Sequence, residues 1–208
     1  MKASIILISV VLAVASCTRA EGPVVDETRS IGPLNRIDAG AGVQVRVTIG
    51  PAGPIVVHAQ QSVQDKVATV VRDGTLQIEA TEDFVVNDAV VVDVQVPSLD
   101  GIVLSGGASI DVRGLTVASL DVGLSGGARA TIAGSTEMLR LSVKGGSVAS
   151  LAGLTTATVS VDLDGGANAE ILATGSVAGT ASGGATLRVT GGASVDVSTS
   201  GGAVVSEG

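Results

Sequence analysis

The sequence predicts an all-β fold: a single-stranded β-helix, or β-solenoid, built from coils of about 20 residues. The first observation behind it is a glycine doublet followed by a small residue, at Gly106-Gly107-Ala108, Gly126-Gly127-Ala128, Gly145-Gly146-Ser147, Gly165-Gly166-Ala167 and Gly183-Gly184-Ala185. The second is period-two alternation on both flanks of each doublet. Aliphatic residues stand at even offsets before it (Leu104, Leu124, Val143, Leu163), and small then larger ones at even offsets after it (Ala108/Ile110/Val112, Ala167/Ala169/Ile171). Odd offsets are mostly polar, among them Ser109, Asp111, Arg129, Thr131, Asn168 and Glu170. This pattern gives two strands per repeat, each with one buried face, and makes the doublet the corner between them. The third is composition. Hydrophobic residues make up 45% while Phe84 is the one aromatic, which suits a slim aliphatic core tapering to Ala and Ser at the corners.

A strand-corner-strand unit cannot bury its apolar face alone; stacking coil on coil in parallel ladders does so. Roughly five coils at about 4.8 Å each would give a rod on the order of 25 Å long. The doublets at Gly191 and Gly201 follow their predecessors by only eight and ten residues, so the end of the rod is expected to leave the pattern. Residues 203–208 hold no obvious polar cap. That end is expected to be a sheet edge covered by a partner, by a second copy, or by the N-terminal half.

Along the chain, residues 1–16 read as an export signal: Met1-Lys2 supplies a short positive end, and Ile5 to Val14 an apolar stretch too short to span as a mature helix. Val14-Ala15-Ser16-Cys17 resembles the bacterial lipobox, which implies cleavage before Cys17 and lipid on its thiol and new amino group. Thr18, not Asp, follows the cysteine; by resemblance to the usual sorting rule this favours an outer-membrane anchor over an inner one. Cys17 is the only cysteine, so no disulfide forms within the chain. Residues 17–33 are polar with interspersed Gly and Pro and read as a tether.

Residues 34–208 form the folded part, with 34–100 non-repetitive and 101–208 made of the repeat coils. Val43–Ile49 and Ile55–Ala59 alternate as strands around the loop Gly50-Pro51-Ala52-Gly53-Pro54. Residues 62–71, with Ser62 as N-cap and valines at 63, 67, 70 and 71, are expected to form a short helix. Asp73-Gly74 is a tight turn into the strand Thr75–Ala80. Val90–Val96 is a further strand, ended by Pro97, and Ser98-Leu99-Asp100-Gly101 leads into the first coil without a linker.

The order of these features resembles the bacterial head GIN domain family, described as auto-transporter adhesins. The resemblance rests on Asp38-Ala39-Gly40-Ala41-Gly42-Val43, on Asp73-Gly74-Thr75-Leu76-Gln77-Ile78, on Val94-Gln95-Val96-Pro97-Ser98-Leu99, and on Ile102-Val103-Leu104-Ser105-Gly106-Gly107-Ala108 with its echo Gly123-Leu124-Ser125-Gly126-Gly127-Ala128. It covers about residues 34 to 205. It implies a β-helical fold in a cell-envelope or cell-surface setting, and carries over no catalytic residue.

Chemistry-bearing residues are sparse. His58 is the only histidine and stands in an apolar strand, where a packed or surface role is expected before catalysis. Asp162, Asp164 and Glu170, with Asp121 and Asp111 from neighbouring coils, could form a paired-carboxylate or cation site, but solvated charges that keep a Gly/Ala-rich rod soluble are the simpler expectation. Gly106-Gly107-Ala108-Ser109-Ile110-Asp111 lacks the fourth-position Gly and the nine-residue period of calcium β-rolls. No metal or other cofactor is expected. A net charge of −8 with three lysines excludes a basic nucleic-acid surface. The expected function is non-enzymatic: a lipid-anchored envelope protein whose lateral face binds a protein or glycan. The alternatives are a self-associating envelope component joined through the open solenoid end and, more remotely, a polysaccharide-active enzyme.

Overall fold

The structure, a computed structural model, describes residues 18–82, 84–85 and 88–208; the signal-like residues 1–16 and Cys17 lie outside them. In chain order the strands are β1 (Thr18–Arg19), β2 (Val24–Arg29), β3 (Arg36–Ala39), β4 (Gln44–Ile49), β5 (Ile55–Gln60), β6 (Val67–Arg72), β7 (Thr75–Ala80), β8 (Phe84–Val85), β9 (Val91–Val96) and β10 (Gly101–Leu104). Long strands β11 (Ser109–Leu124), β12 (Arg129–Lys144), β13 (Val148–Asp164) and β14 (Asn168–Ala181) follow. The chain ends with β15 (Thr186–Thr190), β16 (Ser194–Thr199) and β17 (Val204–Glu207).

Each long strand is most of one coil. Its register shifts midway, for example between Val112 and Leu115 in β11, so its two halves lie in different sheets. One sheet, here sheet A, runs β6, β7, β3, β10, the second halves of β11 to β14, then β16. The other, sheet B, runs β2, β5, β9, β4, the first halves of β11 to β14, then β15 and β17. All pairing from β4 and β3 onward to the C-terminus is parallel. The chain is therefore a β-solenoid, and the non-repetitive first part adds its own strands to both sheets. With ten strands in sheet B among the described residues, the rod is longer than five coils require, roughly 43 Å at the usual strand spacing.

Inward rows run unbroken up the rod. One passes from Val57 through Val92, Val45, Ile110, Ala130, Ala149, Ala169 and Leu187 to Val205. Nearly all of these residues are buried in a single hydrophobic core shared by both parts of the chain. At the corner, Ala108, Ala128, Ala167 and Ala185 are buried, and Ser147 replaces alanine because its hydroxyl donates to the Lys144 carbonyl at 2.9 Å.

Three sequence expectations need correction. The helix expected over residues 62–71 is a 3₁₀ segment at Gln61–Lys66, and Val67 onward is β6. Ser62 caps nothing: its hydroxyl accepts the Glu21 N–H at 2.7 Å. The β-branched run Val67-Ala68-Thr69-Val70-Val71 satisfies both periodicities, and the Asp73-Gly74 turn, with φ of 48° and 74°, pairs it back onto β7. Residues 24–29, read within the tether, are strand β2, antiparallel to β5. Its inward side carries Val25, Glu27 and Arg29, and the last two, an ion pair, break the apolar alternation. Finally, Gly191-Gly192 does not end the pattern. Gly201 stacks on Gly183, continuing the corner column, while Gly191 lies against the Ala173 carbonyl at the opposite bend, between β15 and β16.

The two ends of the rod differ. At the N-terminal end, β2, β5 and β6 run antiparallel to their neighbours and the 3₁₀ segment packs beside them. At the C-terminal end β16 and β17 each have a single strand neighbour among the described residues, and no described strand of the N-terminal half pairs with them.

The corner column begins one coil before the first doublet. Ala41-Gly42 occupies that place, the Ala41 backbone N lying 3.3 Å from where a Gly106 Cβ would stand, and Ala41 has φ of 54°. An L-residue there bears about 1–2 kcal/mol of strain, partly offset by the lower unfolded-chain entropy of alanine relative to glycine. Ala41→Gly should therefore leave stability unchanged or raise it by up to ~1 kcal/mol, seen as a higher urea midpoint at constant m.

Candidate binding face

The predicted corner residues sit at bends between sheets A and B. The first member of each doublet (Gly106, Gly126, Gly145, Gly165, Gly183) has φ between 55° and 73°; among the second members this holds for Gly107 and Gly127, at 79° and 85°, and not for Gly146, Gly166 or Gly184. Their place is architectural. A Cβ on Gly183 would come within 3.0 Å of Gly165 backbone atoms, so this column keeps successive corners in contact.

The acidic residues singled out from sequence do not converge, because the corner after β13 carries the chain from sheet A to sheet B. Asp121, Asp162 and Asp164 stand on sheet A; Asp111 and Glu170 stand on sheet B. Asp162 faces Lys144 Nζ at 3.4 Å and accepts from Thr180, while Asp164 accepts from Ser182 at 2.8 Å. Glu170 faces Arg188 at 3.8 Å and Asp111 faces Arg113 at 3.0 Å. Among the described residues no group of three or more His, Cys, Asp or Glu side chains is placed to hold a metal ion.

What the fold does bring together is a groove of about 370 Å³ on the outer face of sheet A. Its floor is Val103, 44% exposed, beside Gly123, which contributes no side chain. Its rim is Arg36, Asp121, Arg140, Ser142, Ser160 and Asp162. The Arg36 guanidinium lies over Gly101, where a Cβ would stand 2.4 Å from its Cζ, and reaches Asp121 at 3.7 Å. Arg140 approaches Asp121 from the next coil at 3.3 Å. These groups are exposed, so the pairs contribute little stability and can exchange partners with a ligand at small cost. A larger cavity of about 450 Å³ between residues 30–34, 52–54 and 95–97 is walled by Ile31, Leu34, Val96 and three prolines, with Ser30 and Gln95 as its polar side chains. The sheet A groove offers an apolar floor and several convergent polar groups, the combination that orients a ligand. The coil period brings Asp121, Arg140 and Ser160 into one row, so that much of the rim could be read by aligning repeats; Arg36, from the non-repetitive part, could not.

His58 on sheet B bridges two strands. Its Nδ1 lies 2.6 Å from Asp26 Oδ1 on β2 and its Nε2 3.0 Å from Asp93 Oδ2 on β9, with Arg46 3.9 Å from Asp93. Only the imidazolium has an N–H for both carboxylates. The hydrogen bond to Asp26 raises the His58 pKa; partial burial opposes this, and Asp93 adds to the rise. A raised folded-state pKa means a contribution to stability that is complete below the unfolded value of about 6.5 and is lost as pH climbs through the folded value. The wild type should therefore show a urea midpoint that falls between pH 6 and pH 9 by an amount that His58→Gln abolishes. A pH-independent difference between the two proteins would overturn the bridge.

Coils, cap and grooved face define a capped, parallel β-solenoid. Within that class the chain belongs to the family described as "Putative auto-transporter adhesin, head GIN domain", whose model matches residues 33–193. The fold is similar to a crystal structure described as a putative adhesin from Bacteroides fragilis, at 16% identity and TM-score 0.70, covering 91% of this chain and 98% of that one. It is also similar to one described as a putative lipid binding protein from Parabacteroides distasonis (10% identity, TM-score 0.57, 93% of this chain and 100% of that one). A third, described as a putative adhesin from Parabacteroides merdae, has 16% identity and TM-score 0.51, with 93% and 100% covered. No curated protein matches the sequence.

Proposed function

We propose that the chain is a non-enzymatic, adhesin-like binding module, exported and held at the bacterial cell envelope through lipid on Cys17, whose sheet A groove takes a glycan or an extended peptide. The groove carries this reading: two guanidinium groups, two carboxylates and two serine hydroxyls surround an apolar floor on the open side of a rigid rod. Parallel ladders on either side fix its backbone, so little ordering is required on binding. The family's adhesin description and the lipobox resemblance support the envelope setting. The enzyme alternative draws no support from the acids singled out, since Asp121 and Asp162 stand on sheet A while Asp111 and Glu170 stand on sheet B.

Gly123→Leu tests the groove without breaking the rod. Gly123 needs no positive φ, and a Cβ there meets only Val103 Cγ2 at 4.0 Å. The variant should melt like the wild type and lose at least tenfold in binding to glycan arrays or host-matrix proteins that the wild type retains. Equal binding would remove the groove from consideration. Cys17→Ser, followed by metabolic labelling with palmitate, tests the anchor: label should disappear and the protein should leave the membrane fraction.

A further inference from the structure

We propose that copies of this chain stack end to end, the C-terminal edge β16 of one seated against the N-terminal edge β6 of the next. Both strands are edges of the same sheet A, and each has one strand neighbour among the described residues. An exposed edge of this kind presents unsatisfied N–H and C=O groups in strand register. The occupant follows from the rows that run between the two edges. One outward row starts at Arg72 on β6 and passes through Thr75, Arg36, Gly101, Asp121, Arg140, Ser160 and Ala178 to Asp196 on β16. Arg72 and Asp196 are exposed and, among the described residues, neither has an ion-pair partner. Setting a second copy in the same register places its Arg72 beside Asp196, as Arg140 stands beside Asp121 within one chain.

The adjacent inward row gives the apolar half of the match. It runs from Val71 through Leu76, Ile37, Ile102, Val122, Leu141, Val161 and Gly179 to Val197. Its interior aliphatic members are buried, whereas Val71 and Val197 at its two ends are only half-buried. In the stack, valine covers valine along the edge of sheet A, beside the Arg29 cap. Two C-terminal ends meeting face to face would instead bring Asp196 and Glu207 of each copy together, since β16 and β17 carry these acids and no cation. Charge therefore selects a head-to-tail stack, which grows, over a closed dimer. This inference is independent of what occupies the groove.

Val70 and Ser198 end the next outward row, so Val70→Cys/Ser198→Cys places two thiols across the proposed joint and at opposite ends of any one molecule. Mild oxidation of cells expressing the full chain with this pair should give a ladder of dimers, trimers and larger species. Adding Asp196→Arg should reduce the ladder at least fivefold, and adding Arg72→Asp to that variant should restore it, with melting temperatures unchanged throughout. The proposal is overturned by absence of a ladder, by a ladder indifferent to both charge reversals, or by a dimer formed with Ser198→Cys alone, which would mark a tail-to-tail contact.

Discussion

Gly134→Ala should lower the melting temperature by roughly 10 °C, a loss matched only by the equivalent change at Gly179, where a Cβ would stand 1.9 Å from the Val161 carbonyl oxygen. Gly134 lies beside Leu115 where β11 and β12 bend from sheet B into sheet A. Its φ is 144°, and a Cβ would stand 2.0 Å from the Leu115 carbonyl oxygen and 2.7 Å from the Leu115 nitrogen. Both contacts are backbone, so neither can swing aside without opening the ladder between two coils. Backbone strain of about 1–3 kcal/mol and overpacking of similar size sum to about 4 kcal/mol. Two companion variants separate the causes. Gly107→Ala meets no atom within 4 Å but has φ of 79°, and should cost about 1–2 kcal/mol from the dihedral alone. Gly146→Ala meets neither obstacle and should change stability by less than about 0.5 kcal/mol. Equal melting temperatures for the Gly134 and Gly146 variants would show that the bend is not shaped as described.

Arg29→Met should cost about 3 kcal/mol by opening the N-terminal cap. The Arg29 guanidinium pairs with both Glu27 oxygens, at 3.1 and 3.0 Å, and donates to the carbonyls of Val67 at 2.6 Å and Gln64 at 3.0 Å and to the Thr69 hydroxyl at 3.1 Å. Its side chain is 17% exposed. One residue thus ties β2, the 3₁₀ segment and β6 together over the end of the core. Methionine keeps much of the volume but removes the donor to the Val67 and Gln64 carbonyls, and leaves the half-exposed Glu27 carboxylate to water. Glu27, whose pKa is lowered chiefly by its hydrogen bond from Arg29, should titrate closer to its ordinary value in the variant. Hydrogen exchange should show β2 and β6 losing protection before β11 to β14, because in a stacked array each unit depends on its neighbours alone. Uniform loss along the whole rod would mean that Arg29 is not a cap.

The repeat region was legible because its information is redundant. Every coil restates the same requirement: a small residue after a left-handed corner, then aliphatic residues at alternate places, as in Ala128/Ala130/Ile132 and Ala167/Ala169/Ile171. The Asp73-Gly74 hairpin was legible for a different reason, since both central residues need positive φ and the dipeptide tolerates it. Strand β2 was not, because Glu27 and Arg29 look solvent-directed until Arg29 is seen lying against Gln64 and Val67 with Glu27 as its half-exposed partner. His58 was read as an isolated ring in an apolar strand; Asp26 and Asp93 lie far from it in sequence and meet it only through antiparallel pairing.

The sequence by itself determined the coil: its period, its inward rows and its glycine corners, because backbone sterics and period-two burial act between near neighbours and repeat with the chain. Only the tertiary structure decided how the rod ends, which acids share a face and where the groove lies. Those depend on the register between strands whose residues are brought together by stacking, and on contacts such as Arg29 with Glu27, Gln64 and Val67, which let a charged residue lie largely covered.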